Sequence, residues 1–332
     1  MNKKYDVAAV GNALVDIEFT VSDEFLKNYQ IEKGLMTLVD EERQTLLMQK
    51  INTKTTKMQC GGSAANTIIA LSQFGGTGYY CCKVADDELG RFFVEDLSDA
   101  GVDNSLTGNS LEKGITGKCL VMVTEDAERT MNTFLGITQN FSTKDLNEFA
   151  IKDAKYLYLE GYLVTSENGK EAMLQAKRIA EQAGTKVSLT FSDPSMVKYF
   201  KAAFDDIIGP SVDLLFSNEE EAKLFTGKDN LLEAREELKK AANHFVITQG
   251  KNGAMIYDGD TFIDIEPYPI KAIDSNGAGD MFAGAFLYGI TNGHSYASSG
   301  KLASMASSKI VGQFGPRLEW HDAKKILNRL HP

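Results

Sequence analysis

From residue 56 onward, short apolar runs alternate with amphipathic helical patterns. "TGYYCCKVA" (77–85) predicts a strand, and "DELGRFFVEDLSDAG" (87–101) predicts a helix that stops at Gly101. "AKYLYLEG" (154–161) predicts a strand, followed by a helix across "ENGKEAMLQAKRIAEQAG". Then come the strand "KVSLTF", a helix, the strand "VDLLFS", helices to about residue 243, and the strand "HFVITQG". These strands are apolar throughout rather than alternating, which implies burial on both faces. Strand–helix alternation of this kind predicts an α/β class, with a mostly parallel central sheet flanked by helices.

Three segments break the pattern, at 12–20, 33–40 and 115–135. "GKCLVMVTEDAERTMNTF" alternates like an antiparallel hairpin with "TEDAER" at its turn. "LVDIEFTV" and "GLMTLVD" read as further strands. Pattern alone leaves two placements open. They form a small separate sheet over the main domain, or they extend the main sheet as an antiparallel edge.

Composition narrows the class. A chain of 332 residues, 43% hydrophobic and 24% charged, suits one large domain or a large domain with a small addition. The net charge of −11, with no basic stripe, argues against a nucleic-acid partner. None of Cys60, Cys81, Cys82 and Cys119 makes a C-x-x-C pair, and the histidines show no metal spacing. Reduced thiols and a cytoplasmic setting are therefore expected. The apolar part of "MNKKYDVAAVGNALVDIEF" is too short for a signal peptide, and no run approaches membrane-spanning length.

Four clusters carry candidate chemistry, and each has a plainer structural explanation. In "DSNGAGDMFAGAF" (274–286), two glycines and two aspartates precede an almost wholly apolar helix. The unpaired N–H groups and dipole of that helix start would hold an anion such as a phosphoryl group, with Gly277 and Gly279 permitting close approach. Asp280 would then take the proton of an attacking hydroxyl; otherwise it merely caps the helix. "CGGSAANTIIALSQFGG" (60–76) is either a tight strand–turn–helix join or a backbone approach to a ligand, with Asn66 bonding it from the first turn. In "LLFSNEEEAKLFTG" (214–227), Asn218 and Glu221 fit a capping box. They also fit placement of a hydrated Mg²⁺ on nucleotide phosphates. "VITQGKNGAMIYDGD" (246–260) is a hairpin, or a nucleotide edge held by Thr248 and the Gly250 and Gly253 backbone at a strand's carboxyl end.

Together the four clusters, in this order, resemble the PfkB/ribokinase family of carbohydrate and nucleoside kinases across essentially the whole chain. "GGSAANTIIALSQFGG" is similar to its first motif and "DSNGAGDMFAGAF" to its second, with Asp280 at the catalytic-base position. "SNEEEA" is similar to its N-x-x-E magnesium motif, and "VITQGKNGAMI" to its nucleotide-binding strand and turn. The resemblance implies a single ribokinase-like domain over 1–332, with a small β-sheet lid built from about 12–20, 33–40 and 115–135. It implies ATP and Mg²⁺ as cofactors, and amides of Gly277, Ala278 and Gly279 on the phosphoryl oxygens. A monovalent cation (K⁺) near Asp274 is a further implication. No P-loop and no H-R-D or D-F-G segment is present, which excludes P-loop and protein kinases.

The opening "VGNALVDIEFTVSDEFLKNY" is more similar to adenosine kinases than to ribokinases. That similarity implies ribose hydroxyls at Asn12 and Asp16, with Gly62, Ser63 and Asn66 completing the sugar site. Arg129 matches a lid arginine that reaches phosphates, and Tyr162 an aromatic residue near the base. Met36 and Ser195 depart from the pattern, standing where a polar and an aromatic residue would read the purine. The expected activity is phosphorylation of a ribose-bearing hydroxyl, foremost that of adenosine. Another nucleoside (inosine, guanosine) or a free sugar (ribose, fructose) is the alternative acceptor. The expected assembly is a monomer or homodimer.

Overall fold

The computed structural model describes residues 3–52, 55, 57–106, 111–126 and 128–330. Ala127, in the turn of the expected hairpin, lies outside them. The strands, in chain order, are β1 (Tyr5–Val10), β2 (Leu14–Thr20), β3 (Met36–Leu38), β4 (Lys57–Gly61), β5 (Gly78–Cys81), β6 (Val102–Asn104), β7 (Gly117–Val123), β8 (Arg129–Phe134), β9 (Ala154–Glu160), β10 (Lys186–Thr190), β11 (Val212–Asn218), β12 (Ala242–Thr248), β13 (Ala254–Tyr257) and β14 (Phe262–Ile265).

Nine of them form one sheet in the order β14-β13-β12-β11-β10-β9-β1-β5-β6. From β6 to β12 every pairing is parallel; β13 and β14 close one edge antiparallel. The apolar strands bury both faces. In β11, Leu214 and Phe216 join one core and Leu215 the other. The first core holds the helices Ser63–Gln73, Ala278–Thr291 and Tyr296–Val311, and the second holds Glu167–Gln182 and Pro194–Ile208. The Ala278–Thr291 helix is buried on nearly every side, through residues such as Met281, Phe282, Phe286 and Leu287. Burial of each such side chain contributes roughly 1.5–3 kcal/mol, so this helix is firmly seated behind its first turn.

A second sheet has five strands in the order β3-β8-β7-β2-β4, with both parallel and antiparallel pairs. Alternation along β2 sends Val15, Ile17 and Phe19 into the core and leaves Asp16 on the other face. The placement that pattern left open is thus a separate sheet, not an edge of the first. Lys57–Gly61 also belongs to it. That five-residue run has no alternation long enough to announce a strand and merges with the glycines that follow. The 33–40 segment contributes only three paired residues. No helix among the described residues is long and apolar enough to cross a membrane.

Candidate active site

The carboxyl ends of the parallel strands and one face of the second sheet enclose a cavity of about 510 Å³. Residues at or just beyond the ends of β1 (Asn12), β9 (Glu160), β10 (Ser192), β11 (Asn218) and β12 (Thr248) line it. This is where open α/β sheets bind ligands, because helix starts converge there.

Asp280 lines the cavity from the first turn of the Ala278–Thr291 helix. It does not cap that helix. The N-cap is Gly277, at φ 74°, and no side chain bonds the opening amides. Instead Asp280 accepts a hydrogen bond from Ser63 Oγ at 2.6 Å and one from Asn66 Nδ2 at 3.2 Å. Burial pushes its carboxyl up to about 6, against the pull of those two donors. A carboxylate with that poise is ionised at neutral pH and still basic enough to accept a proton. Gly277 and Gly279 line the cavity beside it, while Ala278 donates its N–H to the Ser275 carbonyl at 3.2 Å. That bond takes Ala278 out of the expected set of three free amides.

Asp16, Gly62, Ser63, Asn66, Tyr162, Asn218, Glu221 and Thr248 also line the cavity. Asn66 Oδ1 is buried without a partner. Burial pushes Asp16 up to about 7, while Arg317 and Arg129 pull it down. Asn218 and Glu221 do form the capping box: Asn218 Oδ1 accepts from Glu221 N at 2.8 Å, and Glu221 Oε2 accepts from Asn218 N at 2.8 Å. Glu221 Oε1 accepts from Asn218 Nδ2 at 2.9 Å. With both oxygens engaged and burial holding it near 7, Glu221 suits a water-mediated rather than a direct hold on a cation. Among the described residues no cluster of three or more His, Cys, Asp or Glu could hold a metal alone. A hydrated Mg²⁺ carried largely by phosphates therefore fits this donor set.

Other expected residues lie elsewhere. Gly250 and Gly253 sit in the turn between β12 and β13, which is the hairpin, and neither lines the cavity. Arg129 is buried outside the lining, between Glu18 (Nη2 to Oε2, 2.7 Å) and Asp274 (Nε to Oδ2, 3.1 Å). Asp274 also accepts from Asn276 N at 3.0 Å and Gly315 N at 3.2 Å, so its carboxylate is already matched by cationic and amide donors. Ser195 does not line the cavity; its hydroxyl donates to Asp193, which caps the Pro194–Ile208 helix.

Sequence reasoning missed two features. Glu160 reads as the last residue of an apolar strand, yet it is a buried carboxylate on the cavity wall. Burial pushes it up to about 7, opposed by amides from Ala64 and Asn12. The signal was the charge itself, since an ionisable group ending an apolar run needs partners. The other is an apolar wall of Met36, Leu38 and Met131 from the second sheet, with Leu135 just past the end of β8. No single-residue motif marks it, because the sheet assembles it from separate segments.

The family model for pfkB family carbohydrate kinases matches residues 35–323. The chain belongs to that family. An adenosine kinase from Sinorhizobium meliloti is 33% identical and shares the fold with a TM-score of 0.88, covering 97% of this chain and 99% of that one. Adenosine kinase of Saccharomyces cerevisiae is 26% identical over 93% of this chain and 96% of its own length. A 5-dehydro-2-deoxygluconokinase of Clostridium perfringens is 30% identical over 76% of this chain and 78% of its own. As a pfkB family member, the chain is a phosphotransferase acting on a hydroxyl group of a sugar or nucleoside. The fold is ribokinase-like, a large mostly parallel sheet with a smaller second sheet.

Proposed function

We propose that the chain is an ATP- and Mg²⁺-dependent nucleoside kinase, with adenosine as its first-choice acceptor. The apolar wall that shares the cavity with Asp280 carries this reading. Met36, Leu38, Met131 and Leu135 offer a planar base a surface to pack on. A free sugar presents hydroxyls on every side and would leave that wall unmatched. The likeness to the Sinorhizobium meliloti adenosine kinase supports the same acceptor class.

In this reading Asn12 and Asp16 hold the ribose hydroxyls, with Gly62, Ser63 and Asn66 around them. Asp280 removes the proton of the attacking hydroxyl. Amides at Gly277 and Gly279 meet the charge on the transferring phosphoryl group. Thr248 and the turn at Gly250 and Gly253 border the nucleotide, and Mg²⁺ held through water by Asn218 and Glu221 would neutralise phosphate charge. The second sheet serves as a lid that excludes water. Arg129 reaches phosphate only by leaving Glu18 and Asp274. For a K⁺ site at Asp274 the geometry offers no support, since that carboxylate is taken.

A second reading keeps the chemistry and changes the acceptor to a sugar or to inosine or guanosine. It is favoured by Met36, which gives a purine edge no hydrogen bond, and by the 5-dehydro-2-deoxygluconokinase relative. An ATP-consumption panel of nucleosides and sugars decides between them. We expect adenosine to give the highest kcat/KM, and Met36→Gln to shift the ratio among purines by about 2–10-fold, the worth of one hydrogen bond. A free sugar outrunning every nucleoside would refute the proposal.

A further inference from the structure

Two carboxylates on the wall of the cavity, Glu160 and Asp193, have no part in the proposed chemistry; Asp193 caps its own helix, and Glu160 does not. Glu160 ends β9 and is 1% exposed. Its Oε1 accepts from Asn12 Nδ2 at 2.9 Å and from Asn12 N at 3.3 Å. Its Oε2 accepts from Ala64 N at 2.7 Å. A Cβ at position 11 would stand 2.5 Å from that same oxygen, so Gly11 makes room for the arrangement. A buried carboxylate is costly unless donors match it, and here three N–H groups do.

These bonds join two parts of the site. Asn12 Oδ1 accepts from Thr138 Oγ1 at 3.4 Å, so both ends of its amide are assigned. A flip would set Oδ1 against the Glu160 carboxylate. Ala64 lies in the first turn of the Ser63–Gln73 helix, whose N-cap, Gly62, has no side chain to offer. Ser63 and Asn66 of that same turn are the two donors to Asp280.

We infer that Glu160 is a positioning residue: it fixes the orientation of the Asn12 amide and caps the helix turn that holds Asp280, so the acceptor is held in register with its base. The inference rests on the proposed placement of the acceptor beside Asn12. It assigns Glu160 no direct part in proton transfer, because both oxygens are committed to amide donors.

The test uses the full chain with Glu160→Gln, and with Glu160→Gln combined with Asn12→Asp. Glutamine keeps the volume but must turn an NH₂ group toward either Asn12 or Ala64, donor against donor. For Glu160→Gln we expect the acceptor KM to rise roughly tenfold or more, as for a buried donor left unpaired, with the ATP KM within about twofold. Asn12→Asp alone sets two carboxylates side by side and is expected to be worse. In the double variant the introduced glutamine amide donates to the introduced aspartate, and the acceptor KM recovers relative to Glu160→Gln. An unchanged acceptor KM, an equal rise in both KM values, or a double variant no better than Glu160→Gln overturns the inference. If neither the single nor the double variant folds, Glu160 is purely structural and the inference is likewise lost. All KM values are read with whichever acceptor the wild type turns over best. A sugar preference would thus sink the nucleoside reading and leave this test intact.

Discussion

Two helices start at the cavity in almost the same way. The Ser63–Gln73 helix begins after Gly62, at φ 103°, and the Ala278–Thr291 helix after Gly277, at φ 74°; neither has a side-chain cap. At both glycines a Cβ would lie 2.3 Å from a neighbour, the Asn12 carbonyl oxygen in one case and Pro316 Cβ in the other. Each helix therefore carries partial positive charge at its start. Their occupants differ. Glu160 supplies a built-in acceptor to the first helix through Ala64 N. In the second, Asp280 turns away to Ser63 and Asn66, and no side chain caps the start. One helix start is met by a carboxyl of the protein itself; its twin has no side-chain cap, and of its first amides Ala278 N turns to the Ser275 carbonyl.

The sharpest way to break the comparison is at the base. Asp280→Asn should lower turnover by roughly 10²–10⁴-fold, the worth of a positioned general base, with ATP affinity by titration little changed. Near-normal turnover would remove Asp280 from the chemistry. Next come the two glycines. Gly277→Ala should cost about 10²-fold in kcat, as for loss of one preorganised donor. Gly62→Ala, pressing on Asn12, should act mainly on the acceptor KM. Identical kinetic signatures from the two would erase the distinction between the two starts.

The smallest effects are in pH. The Asp280 carboxyl is raised from 3.8 to about 6, so its protonated form grows as pH falls through 6. Below that point protonation of Asp280 should cost kcat/KM about tenfold per pH unit, a limb that Asp280→Asn abolishes. The same shift has a stability consequence of opposite utility. The folded state binds this proton more tightly than the unfolded state, so the contribution is complete below about 3.8 and is lost as pH rises through about 6. Asp280→Asn should therefore lose less melting temperature between pH 5 and pH 8 than the wild type. An equal or greater loss would place the raised group elsewhere.

Much of this is legible in the sequence. Continuous apolar strands separated by helical patterns announce the parallel sheet, because burial on both faces leaves no alternation to hide. Asp280, Asn66, Asn218 and Glu221 stand in short local motifs, and local motifs survive in a single sequence. Glu160 does not, since its partners Asn12 and Ala64 are 148 and 96 residues away. The apolar wall is equally hidden, as Met36 and Met131 meet only through the pairing of β3 with β8. Asn218 shows that the plainer explanation does not remove a residue from the site: it caps its helix and is also among the residues lining the cavity.

Arg129 projects from the second sheet, yet its guanidinium forms an ion pair with Asp274, six residues ahead of Asp280. That ion pair joins the second sheet to the segment just ahead of Asp280. Any redesign of the methionine-lined face therefore has to be scored on both sheets at once, because β8 carries Met131 on that face and Arg129 on the ion pair.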